Sequence, residues 1–275
     1  VDISLDYKKS YSPDFWLTAR GNFTYSKSKY LEYEEPEYDE RYLSHIGYPI
    51  SQTWGYIAER LFIDDEDVRS SPVQSFGEYG AGDIKYRDVN GDGTITTLDR
   101  VPIGYPKTPE IVYGFGFSLG FKNWDLSAFF QGSARSSFWI DVENTAPFID
   151  SDGSSSTVSQ NQLLKAYADS FWSEDNRNIY ALWPRLSSTL NNNNAQTSTW
   201  FMQDGSFLRL KQVELGYSLP QRLLSKLKMK QLRVYFSGTN LFTISKFKLW
   251  DVEMAGDGLG YPIQKIFNIG IQVGF

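Results

Sequence analysis

The stretch "VYGFGFSLGFKNWDLSAFFQGSA", residues 112–134, decides the fold. Phe115, Phe117, Leu119 and Phe121 alternate with Gly114, Gly116, Ser118 and Gly120. After "KN" the alternation resumes, with Trp124, Leu126, Ala128 and Phe130 in one phase and Asp125, Ser127 and Gln131 in the other. Successive side chains of an extended strand point to opposite faces, so each run has one apolar and one small or polar face. Two such runs joined by two residues read as a β-hairpin.

The same period recurs outward from this hairpin. In "KIFNIGIQVGF", residues 265–275, Phe267, Ile269, Ile271, Val273 and Phe275 oppose Asn268, Gly270, Gln272 and Gly274. Val213, Leu215, Tyr217 and Leu219 oppose Gln212, Glu214, Gly216 and Ser218, and Leu232, Val234 and Phe236 oppose Arg233, Tyr235 and Ser237. At the front, Val1, Ile3, Leu5 and Tyr7 oppose Asp2, Ser4 and Asp6; Phe15, Leu17, Ala19, Gly21 and Phe23 oppose Trp16, Thr18, Arg20 and Asn22. Roughly seven strands of about ten residues result, the length that crosses a bilayer when tilted. Short connections fall near 9–13, 122–123 and 220–230, and long ones at about 31–109, 142–205 and 247–262. Short turns at one end and long loops at the other are the pattern of an all-β, antiparallel transmembrane β-barrel with extracellular loops. A soluble β-sandwich also alternates, but loops this long are uncommon inside compact soluble domains. The terminal aromatic strand Phe267–Phe275 resembles the assembly signal of outer-membrane barrels.

Composition is compatible with this reading. The chain has 275 residues, a net charge of −6, no Cys and one His. The acidic balance argues against a nucleic-acid partner, which needs a basic face. Lack of Cys removes disulfides and thiolate sites. Mean hydropathy is −0.41, and no apolar run reaches the about 20 residues of a membrane helix. Barrel strands average to modest hydropathy, and the 16% aromatic content suits interfacial girdles. The chain starts inside an alternating pattern, "VDISLDY", which predicts that it is the later part of a longer polypeptide.

Within the first long loop lies "DVNGDGTITTLD", residues 88–99. Asp88, Asn90 and Asp92 occupy positions 1, 3 and 5 of a calcium-loop spacing, with Gly93 at the sharp turn. Thr94 offers its carbonyl at position 7, Thr96 a water-bridged contact at position 9 and Asp99 a carboxylate at position 12. Calcium takes six to eight oxygens, which this spacing can supply. Asp99 stands where an EF-hand carries a bidentate Glu, so Ca2+ is the expected ion with Mg2+ as its competitor, and no helix precedes the loop. The alternative is a metal-free loop of Asx turns. Either way its expected work is to staple a loop.

In the second long loop, Leu163, Leu164, Tyr167, Phe171 and Trp172 predict a short amphipathic helix over about Gln160 to Trp172. The polar segments "SDGSSSTVS" and "NNNNAQTS" that flank it read as mobile. Trp139, Trp183, Trp200 and Trp250 read as girdle or loop-core aromatics, with stacking on a ligand as the alternative. His45 is alone, and no Ser-His-Asp set assembles. The pairs Asp64–Asp65 and Glu34–Glu35 read as solvated loop charge. Nothing asks to be a catalytic site, so no enzyme is expected.

Four stretches resemble a known family: "GYPISQTWGYIAERLF" (47–62), "GDIKYRDVNGDGTITTLDRVPIGYPKTPEIVYGFGFSLGFKNWDLSAFFQG" (82–132), "FLRLKQVELGYSLPQRLLSKLKMKQLRVYFSGTNLFTISKF" (207–247) and "IFNIGIQVGF" (266–275). They resemble the C-terminal half of the SusC/RagA family of TonB-dependent outer-membrane transporters. The resemblance implies a 22-stranded barrel with an N-terminal plug, a SusD-like surface lipoprotein as lid, and TonB acting on the plug. It implies TonB-dependent import of bulky nutrients, oligosaccharides or peptides, across the outer membrane of a Gram-negative bacterium. Residues 1–275 then correspond to the last strands, with plug, TonB box and earlier strands absent. An open seven-strand sheet leaves two unpaired edges, each unmet backbone group costing several kcal/mol in lipid, so further chain or chains are expected to complete the barrel. Expected lumen-facing residues are Arg20, Asn22, Asp125, Gln131, Glu214, Arg233 and Tyr235. The rival readings are a passive porin or adhesin barrel, and a soluble calcium-bearing, carbohydrate-binding β-domain.

Overall fold

The computed structural model describes residues 1–149 and 163–275. Seven strands form one antiparallel sheet in chain order: β1 (Asp2–Ser12), β2 (Phe15–Tyr25), β3 (Ile111–Phe121), β4 (Trp124–Ala134), β5 (Phe207–Ser218), β6 (Gln231–Ser245) and β7 (Ile266–Gly274). Each strand pairs with the next, so the sheet is a meander and a segment of barrel wall. Connections at one end are residues 13–14, 122–123 and 219–230; at the other they are 26–110, 135–206 and 246–265. The alternation of short and long connections is as expected, with strand ends shifted. The first turn was expected at 9–13, but β1 runs to Ser12 and turns through Pro13 and Asp14. The polar run there stays extended because ladder pairing asks for no apolar side chain: Lys8 faces Thr18 and Ser10 faces Trp16. The third short connection contains a helix, Gln221–Leu227, ended by Lys228 in the left-handed region at φ 55°.

The apolar phase is uncovered on every strand. Leu5 is 70% exposed, Phe23 38%, Phe115 43%, Trp124 52%, Leu215 43%, Phe236 44% and Ile269 79%. A water-soluble domain rarely leaves so continuous an apolar face open; a barrel wall turns it to lipid. Trp124 and Tyr217 lie 4.8 Å apart at the short-turn end, the place of an interfacial girdle.

One irregularity keeps the faces in phase. Phe129 pairs with Gln212 and Phe130 with Leu210, so Lys211 is an extra residue in β5. That β-bulge puts Leu208 and Leu210 on the apolar face with Val213 and Leu215, and leaves Arg209 on the polar face with Glu214. Its mark in the sequence is the polar pair Lys211–Gln212 between two alternating runs.

The hydrophobic core lies in the long connections, not under the sheet. Tyr56, Leu61, Ile84, Tyr86 and Ile95 of the first pack with Ile140, Tyr167, Trp172, Trp183 and Phe201 of the second. Trp250 of the third packs against them. The three long loops thus form one folded cap at one end of the wall.

Candidate functional site

The polar phase of the sheet brings the expected lumen residues onto one face. Register sets Asp6 opposite Arg20, Arg20 opposite Gly116, Ser127 opposite Glu214, and Gly216 opposite Tyr235. Arg20 pairs with Asp6 at 2.7 Å, both well exposed, a pair worth little in water. Asn22 lies over Gly114, where a Cβ would strike its side chain. Gln131 sits on this face opposite Gly114 and Arg209.

Asp125, Glu214, Arg233 and Tyr235 form one cluster. Arg233 donates from Nη2 to Asp125 and, at 2.7 Å, to Glu214 Oε1; its Nε donates to Asp125 Oδ2 at 3.0 Å. The guanidinium lies 5.1 Å from the Tyr235 ring centre. Gly216 makes room, because a Cβ there would overlap the guanidinium and Asp125. Gly270 does the same for the Tyr235 ring, and Gly120 for Trp16. Glycines of the polar face are therefore seats for large neighbours. Sequence reading missed Phe129 and Arg209 on this face. Phe129 lies over Gly116 and borders a recess of about 400 Å3 with Arg20 and Gln212. Buried Arg209 ties the wall to the third long loop: its Nη2 is 2.6 Å from Asp251 and its Nε 2.7 Å from Glu253.

Beyond the outer ends of β3 and β4, all three long loops line a cavity of about 750 Å3. The first supplies Gln52, Trp54, Arg100 and Lys107, the second Phe138, Trp139 and Thr197, and the third Ala255 and Gly256. Short strands hold it: Thr53–Gly55 pairs with Val101–Ile103, and Ser137–Trp139 with Met202–Asp204. Arg100 donates to the Trp54 carbonyl at 2.9 Å. Trp139 Nε1 donates to the Ser198 carbonyl at 2.8 Å.

His45 also borders this cavity and stacks on Trp54 at 4.2 Å. Its Nδ1 is 3.3 Å from Glu35. Glu35 was expected to be solvated; instead its side chain is largely buried, and accepts from the Ser44 hydroxyl and, at 3.0 Å, the His45 amide. The Ser44 hydroxyl foremost, then that amide, hold its carboxyl below the usual range. Asp64 caps the helix Asp65–Arg69 through the Asp67 amide at 2.9 Å.

Residues 88–99 close on themselves. Asp88 accepts from the Gly91 and Gly93 amides at 2.7 and 2.8 Å, Asn90 from the Asp92 amide at 3.2 Å, and Asp92 from Thr94 at 2.8 Å. Gly91 and Gly93 adopt φ of 76° and 85°, which favour glycine. Asp99 is fully buried and accepts from the Val89 and Thr96 amides at 2.7 and 2.8 Å. Thr96 and Asp99 form a capping box around the turn Thr97–Asp99. Among the described residues no three acidic or histidine side chains gather as a metal-holding set.

The second loop departs from expectation in two places. Of the described part of the expected helix, Lys165–Ala168 is helical; residues 160–162 lie outside the described residues, as does "SDGSSSTVS". Phe171 instead bridges Trp183 in extended pairing, while Tyr167 stacks on Trp183 at 4.2 Å. Burial pushes the Tyr167 hydroxyl up to about 12. "NNNNAQTS" is not a mobile linker. Asn193 and Asn194 are buried: Asn193 accepts from Gln74 at 2.7 Å and donates to the Ile84 carbonyl at 2.9 Å. Asn194 accepts from the Ile84 amide at 2.9 Å and donates to Asp83 at 2.8 Å. Trp183 is in the cap core, and Trp139, Trp200 and Trp250 are part-buried.

No family model matches the chain. Over its full length it is 25% identical to TonB-dependent receptor P3 of Formosa agariphila and 23% identical to TonB-dependent receptor SusC of Bacteroides thetaiotaomicron. It spans 28% and 26% of those proteins. Its whole fold superposes on the RagAB peptide transporter with a TM-score of 0.66 at 23% identity, covering 29% of that chain.

Proposed function

From a chain that is similar over its whole length to TonB-dependent receptors of the SusC and RagA kind, we propose TonB-dependent import of bulky nutrients, oligosaccharides or peptides, across the outer membrane of a Gram-negative bacterium. The observation that carries this is the sheet itself. Its apolar face is uncovered on seven successive strands, its polar face holds ionic and aromatic side chains, and all long loops share one end. Residues 1–275 supply wall, lumen lining and cap. A SusD-like surface lipoprotein closes over the cap, and TonB acts through parts of the transporter outside this chain. Arg20, Asn22, Asp125, Gln131, Glu214, Arg233 and Tyr235 line the passage, and Phe267–Phe275 serves as the assembly strand. No covalent step is assigned to any residue.

A Ca2+ or Mg2+ ion in residues 88–99 belongs to this proposal only as an added staple. Asp88, Asn90, Asp92, the Thr94 carbonyl and Asp99 would hold it; Asp88 and Asp99 each already accept from two backbone amides, and Asp99 is fully buried.

Uptake of labelled oligosaccharide and peptide mixtures by cells carrying the transporter tests the function. The expected result is uptake that stops when the proton-motive force is collapsed or TonB is removed. Uptake that persists under both conditions contradicts active import and favours a passive pore.

A further inference from the structure

We propose that the cavity at the outer end of β3 and β4 is a subsite for a carboxylate group of the imported molecule. This rests on the import reading and adds a ligand chemistry to it. The chain carries 33 acidic and 27 basic residues, yet the lining of this cavity contains Arg100 and Lys107 and no carboxylate; His45, also in the lining, already faces Glu35. Neither Arg100 nor Lys107 forms an ion pair among the described residues. The arginines of two other recesses are neutralised: Arg20 by Asp6 at 2.7 Å and Arg185 by buried Asp83 at 2.9 Å.

Arg100 is also anchored at one nitrogen. Its bond to the Trp54 carbonyl engages one Nη, leaving other guanidinium donors for a ligand. A carboxylate is the planar two-oxygen acceptor that such a fork fits. Trp54 and Trp139 border the same space and offer apolar surface to the group carrying the charge. The lining comes from three loops that share one core, and the Trp54 carbonyl tethers the Arg100 guanidinium at the cavity wall.

Two kinds of molecule carry this chemistry: a sugar chain containing uronate and a short peptide with a free C-terminus. The test uses the complete transporter purified from outer membranes in detergent, with four probes in isothermal titration at two salt concentrations. The probes are a uronate tetrasaccharide, its neutral counterpart, a tetrapeptide acid and the same tetrapeptide as its amide. One acidic probe is expected to bind at least about tenfold more tightly than its neutral partner, an advantage that salt weakens. Arg100→Gln and Lys107→Gln together are expected to remove that advantage, read as the ratio of acidic to neutral affinity falling to about one. Which acidic probe gains identifies the source. Equal binding of both pairs, no binding of any probe, or an advantage that survives the double substitution overturns the subsite. Proton-motive uptake measured in the same strain separates the two claims: uptake without charge preference removes the subsite and leaves import standing.

Discussion

Replacing Asn194 by Leu should loosen the cap without disturbing the wall. Asn194 is buried, and its carboxamide accepts from the Ile84 amide at 2.9 Å and donates to Asp83 at 2.8 Å. Leu is close in size, so little room opens for a rescuing water. The Ile84 N–H loses its side-chain acceptor, which costs about 1–3 kcal/mol, and fully buried Asp83 loses a charge-assisted donor worth about 1.5–3 kcal/mol. Arg185 still holds Asp83, and the added apolar burial offsets about 1–2 kcal/mol, so the net loss is about 3 kcal/mol. For a unit on the order of 150 residues that lowers the melting temperature by roughly 6–12 °C. Tryptophan fluorescence reports it, because Trp172 and Trp183 sit in the cap core. Circular dichroism of the barrel strands should melt unchanged. The exposed neighbour supplies the control, with Asn192→Ala within about 0.5 kcal/mol of wild type. A variant at position 194 that melts with the parent protein would refute the clasp.

Other outcomes follow from the same geometry. Gly216→Val should push Arg233 off Asp125 and cost about 1–3 kcal/mol of barrel stability, read as earlier loss of the folded band on a heated detergent gel. The Arg60 guanidinium, foremost, then the Ile63 amide and Lys85, hold the Asp67 carboxyl well below the usual range. Its stabilisation of the cap is therefore present at neutral pH and lost as pH falls below the ordinary carboxylate value of about 4. The deficit of Asp67→Asn against wild type in cap melting should shrink steadily from about pH 5 downward. Asp99→Ala removes two buried carboxylate–amide bonds and should cost about 2–4 kcal/mol, seen as faster proteolysis within 84–103; running it in chelator and in calcium measures the ion's share. Deleting Phe275 should reduce the amount of transporter reaching the outer membrane.

The wall was legible from single residues because a period of two survives without knowledge of any partner. Phe115, Phe117 and Leu119 declare one face, and the adjacent glycines and Ser118 the other. The polar-face cluster was half legible. Asp125, Glu214 and Arg233 each fall in the polar phase of their strand, but their meeting depends on inter-strand register, which joins Arg233 to Asp125 across 108 residues. The cap was not legible. Its contacts link residues far apart in sequence, 119 positions for Gln74 and Asn193, and the polar run "NNNN" resembles a linker until its amides are seen capping the backbone of another loop. The helix expected from about Gln160 to Trp172 forms only over Lys165–Ala168 among the described residues, for a related reason: Phe171 pairs with Trp183 instead of its own turn. The calcium spacing of 88–99 was legible as a tight loop, whereas the commitment of Asp99 to the Val89 and Thr96 amides could be read only from coordinates.

The most direct test of the central claim is native mass spectrometry of the assembly recovered through a tag on this chain from isolated outer membranes. The account predicts a species that stays soluble only in detergent, carries a plug domain and brings a surface lipoprotein with it. A lone species of 31.5 kDa that dissolves without detergent would contradict the barrel and leave a soluble β-domain in its place.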